Sequence, residues 1–151
     1  MGEKKNKTTA KAPQGLDWKE QNGDWDFIND MREKDKEYVG FIYCITEKDT
    51  QMKYYGIKQL KKRIRRKPLK GQKRVRIDYV ESDWKKYNTS SPIMQDKLAK
   101  NRDNYYKAIL HYCETKTELK AREAYMQLDE YLNGDWTLLY NQVINLRLRI
   151  R

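Results

Sequence analysis

Short stretches of alternating apolar and polar residues predict a small α+β domain. Apolar, β-branched and aromatic residues are concentrated at 38–46 and 51–57. The polar residues at 47–50 between them predict a turn, and therefore a β-hairpin. Residues 105–113 alternate in the same way and predict a third strand. We therefore expect a small three-stranded antiparallel sheet flanked by helices.

Two further segments have helical periodicity. Residues 92–100 predict a helix with a proline near its start. Residues 117–132 predict a longer helix that Thr117 caps and that Asn133-Gly134 ends. The apolar stripe expected to face the core of the domain consists of Ala121, Ala124, Tyr125, Leu128, Tyr131 and Leu132.

The chain divides into a peripheral extension and one main domain. Residues 1–36 are predicted to be a flexible extension, rich in basic residues and carrying Trp18 and Trp25. Part of it, 24–36, predicts either a short helix or a loop clamped by these two tryptophans. The main domain is expected at 37–151, which is long enough for one compact core.

A hairpin centred between Lys48 and Asp49 would place Tyr43 opposite Tyr54 and Phe41 opposite Gly56. Cross-strand partners point to the same side of a sheet. The two tyrosines would then form one patch. Gly56 would leave room above it for a backbone or a ligand to approach.

Positive charge is concentrated in one segment of the chain. The net charge is +11, and residues 58–76 contain eleven Lys or Arg and no acidic residue. Such a segment repels itself unless a polyanion is near, and nucleic acid is the expected partner. Within a basic insert at 58–79, we predict a short cationic helix at 58–66, ended by Pro68, and then a basic loop at 68–79.

Double-stranded DNA is the polyanion we expect. Trp84 and Tyr87 follow the insert, and their rings would either stack on bases or anchor the basic loop. The predicted DNA-binding residues are Lys61, Lys62, Arg66, Lys67, Lys70, Lys73, Arg74, Arg76, Trp84 and Tyr87.

Several classes of protein are disfavoured by what the chain lacks. His111 is the only histidine, which excludes sites built on two histidines within one chain. Cys44 and Cys113 are expected to be buried thiols in a reducing compartment, with a disulfide as the alternative. No apolar run approaches the roughly 20 residues that span a bilayer. We expect a cytoplasmic protein without membrane contact.

Four motifs occur in a fixed order along 39–144. They are Phe41-Ile42-Tyr43, Tyr54-Tyr55-Gly56, Arg122-Glu123-Ala124-Tyr125 and Tyr140-Asn141. In this order they resemble the GIY-YIG endonuclease family. The long basic insert makes the chain most similar to the phage free-standing Seg-type (SegE-like) homing endonucleases, which would place it in the host cytoplasm. One departure is that Gly40 precedes Phe41, so the first triplet reads Phe-Ile-Tyr.

The resemblance implies a Mg²⁺-dependent hydrolysis of phosphodiester bonds in DNA, with Mn²⁺ as the alternative ion. Glu123 would bind the metal, and Tyr43, next to Tyr54, would position or deprotonate the attacking water. A free tyrosine has a pKa of about 10, so the metal and Lys58 would have to lower the pKa of Tyr43.

The family's catalytic arginine has two candidates here, Arg63 and Arg65, because the expected arginine helix is one residue short. Its guanidinium would hold the non-bridging phosphate oxygens. Asn141 would fix a water or the carboxylate of the metal-binding glutamate. The histidine that some members carry has no counterpart, and Tyr87 or Lys58 would replace it.

Structural roles remain alternatives for these residues. Tyr43 would equally suit the core, Glu123 lies opposite the predicted apolar stripe and would then be solvated, and Asn141 would bond only backbone groups. Function also has alternatives: a non-catalytic nucleic-acid-binding protein, a restriction-type GIY-YIG nuclease, or a nuclease using Asp103 with Glu118. Sequence specificity would come from the basic insert, the N-terminal arm or a homodimer.

Overall fold

The computed structural model describes residues 23–29, 32–33, 35–142 and 144, and it confirms the α+β fold. Most of the predicted extension, including Trp18, lies outside the described residues. The strands are β1 (Phe27–Ile28), β2 (Gly40–Glu47), β3 (Lys53–Gln59), β4 (Lys61–Arg66), β5 (Arg76–Glu81) and β6 (Tyr105–Cys113), and the helices are α1 (Pro92–Lys100) and α2 (Lys116–Asn133).

The main sheet has the strand order β1-β6-β2-β3. Its β6–β2–β3 part is antiparallel, as predicted. The short strand β1 adds a parallel edge, with Phe27 opposite Ala108. A helix was one alternative for 24–36, and the strand at Phe27–Ile28 rules it out there. Trp25 is buried beside β1, where its indole Nε1 donates to the Trp84 carbonyl at 2.8 Å.

The β2–β3 hairpin has a register two residues away from the predicted one. Tyr43 lies opposite Gly56 and Ile45 lies opposite Tyr54. The turn is longer than predicted because Gln51 adopts a left-handed φ of 63°. The Glu47 amide also bonds the Met52 carbonyl at 2.8 Å. A shift of two residues keeps every side chain on its face.

The two faces of the main sheet are covered by different elements. On one face, Phe41, Tyr43 and Ile45 pack with the α1 and loop residues of the larger core. On the other face, Ile42 packs with Leu119 of α2. The larger core also includes Trp25, Ile28, Leu60, Trp84, Met94, Leu98, Tyr105, Ile109 and Tyr112.

Among its buried residues, α2 shares only Ala124 with the predicted stripe. Its buried residues are Leu119, Ala124 and Gln127, whereas Tyr125, Tyr131 and Leu132 are exposed. The cap is Thr115 rather than Thr117, and its hydroxyl accepts from the Glu118 amide at 3.1 Å. Tyrosine was counted as core-forming, although its hydroxyl suits a solvent-exposed position. This rotation brings Glu123 onto the half-buried side of the helix.

The predicted cationic helix at 58–66 is wrong. Residues 58–59 end β3, and β4 pairs antiparallel with β5 to form a two-stranded ribbon. The ribbon is joined to the main sheet at Leu60, whose amide donates to Val39 and whose carbonyl accepts from Ser82. The prediction failed because 68–79 was interpreted as loop, whereas its last residues supply the partner strand.

No helix in the described part of the chain is long and apolar enough to cross a membrane.

Candidate active site

Three tyrosines form a cluster on the face of the sheet that carries the larger core. The ring centroid of Tyr43 lies 6.3 Å from that of Tyr54 and 6.0 Å from that of Tyr87. Gly56 was predicted to leave room for a ligand, but the Tyr43 ring fills that room. A Cβ at Gly56 would collide with the Tyr43 phenol. The glycine therefore allows Tyr43 to lie flat against β3.

Tyr43 is deeply embedded in this cluster. Its side chain is 0% exposed, and its hydroxyl donates to Thr89 Oγ1 at 3.1 Å. Burial raises the pKa of Tyr43, and the Thr89 hydrogen bond opposes that rise only in part. This direction is opposite to the lowered pKa that a phenolate base would need. The side chain of Tyr43 holds Thr89 in place as a neutral phenol.

Lys58 brings positive charge to the cluster. Its ammonium nitrogen lies 3.9 Å from the ring centroid of Tyr87 and forms an ion pair of 2.7 Å with Asp83. The hydrogen bond from Lys58 lowers the pKa of the largely exposed Asp83 carboxyl. An incoming phosphate can compete with such an exposed carboxylate for the lysine.

The loop at 82–91 carries Tyr87 and Thr89 and is anchored by Lys107 of β6. The Lys107 ammonium is 0% exposed and donates to the Tyr87 carbonyl at 2.9 Å and to Asn88 Oδ1 at 3.0 Å. Burial lowers the pKa of Lys107 to about 8. The sequence reasoning missed this residue, although a lone lysine inside the apolar strand β6 is a usable signal.

Trp84 is a second anchor of this loop. Its ring is 2% exposed, and its indole Nε1 donates to Glu81 Oε1 at 2.9 Å. The prediction that Trp84 stacks on bases is therefore wrong, since a buried ring cannot receive a base. Its alternative, anchoring the basic segment, is what the structure shows. Tyr87 is half-buried, and Lys58 covers its ring.

Glu123 reaches the same region from α2. It is half-buried, and burial alone raises the pKa of its carboxyl. Within the described residues, its carboxylate has no hydrogen bond and no ion pair. Burial also raises the pKa of Tyr54, and the nearby Glu123 charge adds to that rise. The Glu123 charge therefore acts on Tyr54 of the tyrosine cluster, and no cation among the described residues pairs with it.

Asn141 bonds the open edge of β3. Its Oδ1 accepts from the Tyr55 amide at 2.8 Å, and its Nδ2 donates to the Tyr55 carbonyl at 2.8 Å. The neighbouring Tyr140 hydroxyl donates to Glu47 at 2.7 Å. The amide thus fixes the strand next to Tyr54, and it contacts no carboxylate among the described residues.

The remaining predicted site residues lie on the ribbon. Arg63 and Arg65 project from β4 and have no hydrogen bond, ion pair or ring contact to the tyrosine cluster in the described structure. The predicted DNA-binding cations are all exposed: Lys61, Lys62, Arg66, Lys67, Lys70, Lys73, Arg74 and Arg76. In the described structure, Arg63 and Arg65 therefore make no such contact with the tyrosine cluster.

A cluster that the sequence did not predict lies at the start of α2. Ligand atoms of His111, Cys113 and Glu118 are within 4.8 Å of one another. Glu118 Oε1 already accepts from Arg122 at 2.9 Å, and Oε2 accepts from the Glu114 amide at 3.1 Å. This carboxylate therefore ties the helix start to the residue that precedes the Thr115 cap. The same engagement argues against the alternative that Glu118 works with Asp103 as a nuclease pair.

Comparison with known proteins identifies a family for this chain. The model of a domain family described as "Putative endonuclease segE, GIY-YIG domain" matches residues 18–144. Searches of curated proteins and of solved structures return no significant match. The matched range contains all of the main sheet, both helices and the tyrosine site. The chain therefore belongs to the SegE-type GIY-YIG family and is a DNA endonuclease.

Proposed function

We propose that this endonuclease depends on Mg²⁺ and that its active site consists of Lys58, Tyr54, Tyr87 and Glu123. The single observation that carries the proposal is the Glu123 carboxylate, which is half-buried and lacks a cation within the described residues. Leaving a charge partly desolvated and unpaired costs stability, and functional sites are where such costs persist.

The donor set fits a hard divalent cation. Nucleases of this family generally use divalent metal ions. A carboxylate is the ligand type that Mg²⁺ prefers, and Mg²⁺ is commonly held by one or two carboxylates while it keeps several waters. A bound Mg²⁺ would supply Lewis-acid stabilisation of charge on the phosphate and on the leaving oxygen. Glu123 would hold it, and Mn²⁺ would be accepted at the same oxygen ligand.

The protein's own groups would bind and orient the phosphate. Lys58 offers a cation beside Tyr87, and a phosphate could replace Asp83 as its partner. Tyrosine is protonated at neutral pH, and burial raises the pKa of Tyr54 further. The Tyr54 hydroxyl can therefore donate a hydrogen bond to a phosphate oxygen or to the attacking water. Tyr43 would act as a positioning residue through Thr89.

The catalytic arginine of the sequence prediction has no place in this group. Lys58 supplies the positive charge at the cluster, while Arg63 and Arg65 project from the ribbon. Asn141 would position the site by clamping the β3 backbone next to Tyr54. We therefore assign the guanidiniums of Arg63 and Arg65 to DNA contact.

The test is nicking of supercoiled plasmid DNA with Mg²⁺ and with EDTA. We expect nicking by the wild type with Mg²⁺ only, and a loss of about 10²-fold or more in Glu123→Gln, as for removal of other catalytic groups. Asp129→Asn is the matched control, because Asp129 is an exposed carboxylate on the same helix. The non-catalytic alternative predicts DNA binding but no nicking by the wild type.

For the biological role, we propose a homing-type endonuclease. Its support is the match to the SegE-type domain and the cationic ribbon, which gives the chain a DNA-binding element outside the site. Sequencing the ends produced from a genome-sized substrate checks this. We expect cleavage at a few long, loosely defined sites, whereas a restriction-type role predicts frequent cuts at one short fixed sequence.

A further inference from the structure

The β4–β5 ribbon has two chemically different faces. Cross-strand partners share a face, so Lys61 with Glu81, Arg63 with Tyr79 and Arg65 with Ile77 lie on one side. We call Arg63, Arg65, Ile77 and Tyr79 the arginine face, and Lys61 and Glu81 lie at its end next to the Leu60 junction. The opposite side carries Lys62 with Val80, Ile64 with Asp78, and Arg66 with Arg76.

Two of the three cations of the opposite face, Arg66 and Arg76, are already engaged. Arg66 Nε forms an ion pair with Asp78 Oδ2 at 3.0 Å, and Arg76 Nε donates to the Lys67 carbonyl at 3.3 Å. Ile64 and Val80 on that face are half-buried. A carboxylate at its centre, Asp78, would also repel a nearby phosphate.

The arginine face has the reverse character. Arg63 and Arg65 are exposed and have no hydrogen bond, ion pair or ring contact with any residue that the structure describes. Beside them, Tyr79 is 58% exposed and Ile77 is 42% exposed. Ile77 contributes nothing to phosphate binding and Tyr79 offers only its hydroxyl, so charge attraction alone does not explain why these two residues alternate with arginines.

Contacts with the edges of DNA bases would explain both the arginines and the less polar side chains of this face. Arginine donates two hydrogen bonds to guanine O6 and N7, and an apolar side chain can contact the methyl group of thymine. The major groove, about 12 Å wide, admits a two-stranded β-ribbon. We propose that the arginine face enters the major groove of the DNA substrate and that Arg63 and Arg65 determine sequence preference there. This inference rests on the duplex substrate of the proposed function.

The ribbon's attachment limits where the preferred bases lie. Arg63 and Arg65 follow Lys58 of the active site by five and seven residues, with Leu60 as the junction. At about 3.3 Å per extended residue, they reach at most roughly 17 and 23 Å from Lys58. With about 3.4 Å per base pair, the bases that they contact lie within about seven base pairs of the cut.

The experiment selects bound duplexes from a random pool with the cleavage-deficient Glu123→Gln protein at fixed salt. On that background, Arg63→Lys with Arg65→Lys keeps the charge but removes the planar fork. Arg66→Lys with Arg76→Lys makes the same chemical change on the opposite face and is the matched control. Circular dichroism and thermal unfolding check that each variant is folded.

We expect the Arg63 and Arg65 pair of substitutions to reduce base discrimination by about 5- to 100-fold at two or more positions. Total DNA affinity should change by less than about threefold, because the phosphate-binding charge is retained. The control pair should keep the parental preference. The inference is overturned if the parent shows no preference, if the preference survives the Arg63 and Arg65 changes, or if the control pair flattens it equally.

Plasmid nicking by the wild type separates this inference from the proposed function. If the wild type does not nick, but the selected sequences depend on Arg63 and Arg65, the proposed catalytic function is wrong and the inference about the arginine face is supported. If the wild type nicks with Mg²⁺ and the selected sequences do not depend on either arginine, the catalytic function is supported and the inference about the arginine face is wrong.

Discussion

The main sheet and the β4–β5 ribbon contrast in how they use their side chains. Phe41, Tyr43 and Ile109 of the main sheet are fully buried, whereas every residue of β4 and β5 except Ile64 and Val80 is exposed. The sheet can therefore fix atoms by packing, and the ribbon can only attract and contact a partner. Catalytic geometry should depend on the first region, and DNA affinity on the second.

Salt dependence of DNA binding tests the ribbon's side of this comparison and has the largest expected effect. If six to ten cations contact phosphates, affinity should fall by roughly 10³ to 10⁵ between 50 and 200 mM salt. Lys70→Ala with Lys73→Ala should make the slope of log K against log salt shallower by about two. Fluorescence anisotropy with a labelled duplex measures both.

Lys116→Ala with Lys120→Ala is the control for that slope, since it removes two exposed lysines from α2 instead. It should leave the slope close to that of the wild type. A slope that is shallow in the wild type, or that both double variants change equally, would remove the ribbon from the DNA interface.

Gly56→Ala tests whether catalytic geometry depends on packing in the main sheet. The new Cβ collides with the Tyr43 phenol, so Tyr43 and its partner Thr89 must move. We expect a loss of stability of about 1–3 kcal/mol from overpacking. Nicking should fall by about 10²-fold, since a displacement of about 1 Å in a catalytic arrangement costs that much. Calorimetry and plasmid nicking measure the two effects.

DNA affinity of Gly56→Ala is the internal control. The ribbon is exposed and makes its own strand pairing, so binding should stay within about threefold of the wild type while nicking is lost. Equal losses of affinity and nicking would mean that the two regions do not act separately.

Local alternation was enough to predict β2, β3 and β6, because period-2 patterns mark strands wherever one face is buried. It also placed Tyr43 and Tyr54 on one face, since an error of two residues in register does not change the face. The register itself depended on the left-handed φ of Gln51, which a non-glycine residue rarely adopts and no pattern signals.

Long-range partners were what the sequence did not reveal. The cationic segment 61–66 becomes a strand because 76–81 pairs with it, and neither segment alone requires that. A solvated side chain was the alternative to metal binding for Glu123, because tyrosines were assigned to the buried face of the helix. Packing of Leu119 against Ile42 instead leaves Glu123 half-buried, and its charge acts on Tyr54.

Lys107 links the sheet to the loop that carries Tyr87. Lys107→Met keeps the length of the side chain but leaves the Tyr87 carbonyl and Asn88 without their donor, at a cost of about 1–3 kcal/mol. The loosened loop should reduce nicking by about tenfold. Urea unfolding and plasmid nicking measure these losses, and unchanged nicking would mean that the loop needs no anchor.

Lys107 also makes the stability of the folded protein depend on pH, in a direction that its pKa defines. Lys107 has a folded pKa of about 8, below its ordinary value of 10.5. Between these values the unfolded chain binds more protons, so this group makes stability rise with pH. The stability of the wild type relative to Lys107→Met should therefore increase from pH 8 to pH 10. Buried tyrosines are common to both proteins and cancel in that difference.

Glu123→Gln should have the smallest effect on stability. It should stabilise the folded protein, whereas Gly56→Ala and Lys107→Met should destabilise it. Burial raises the pKa of Glu123, so its ionised form is less favourable in the folded protein than in the unfolded chain. A neutral amide removes that cost, and the melting temperature at pH 7 without divalent ions should rise by about 1–2 °C. Differential scanning fluorimetry measures it.

Adding Mg²⁺ in the same assay tests whether the half-buried Glu123 carboxylate is a metal ligand. A cation that binds the folded protein stabilises it by mass action, so Mg²⁺ should raise the melting temperature of the wild type and of Asp129→Asn. Glu123→Gln should show no such rise, because it lacks the carboxylate charge. If Mg²⁺ stabilises Glu123→Gln as much as the wild type, the ion binds elsewhere, and the half-buried carboxylate needs another explanation.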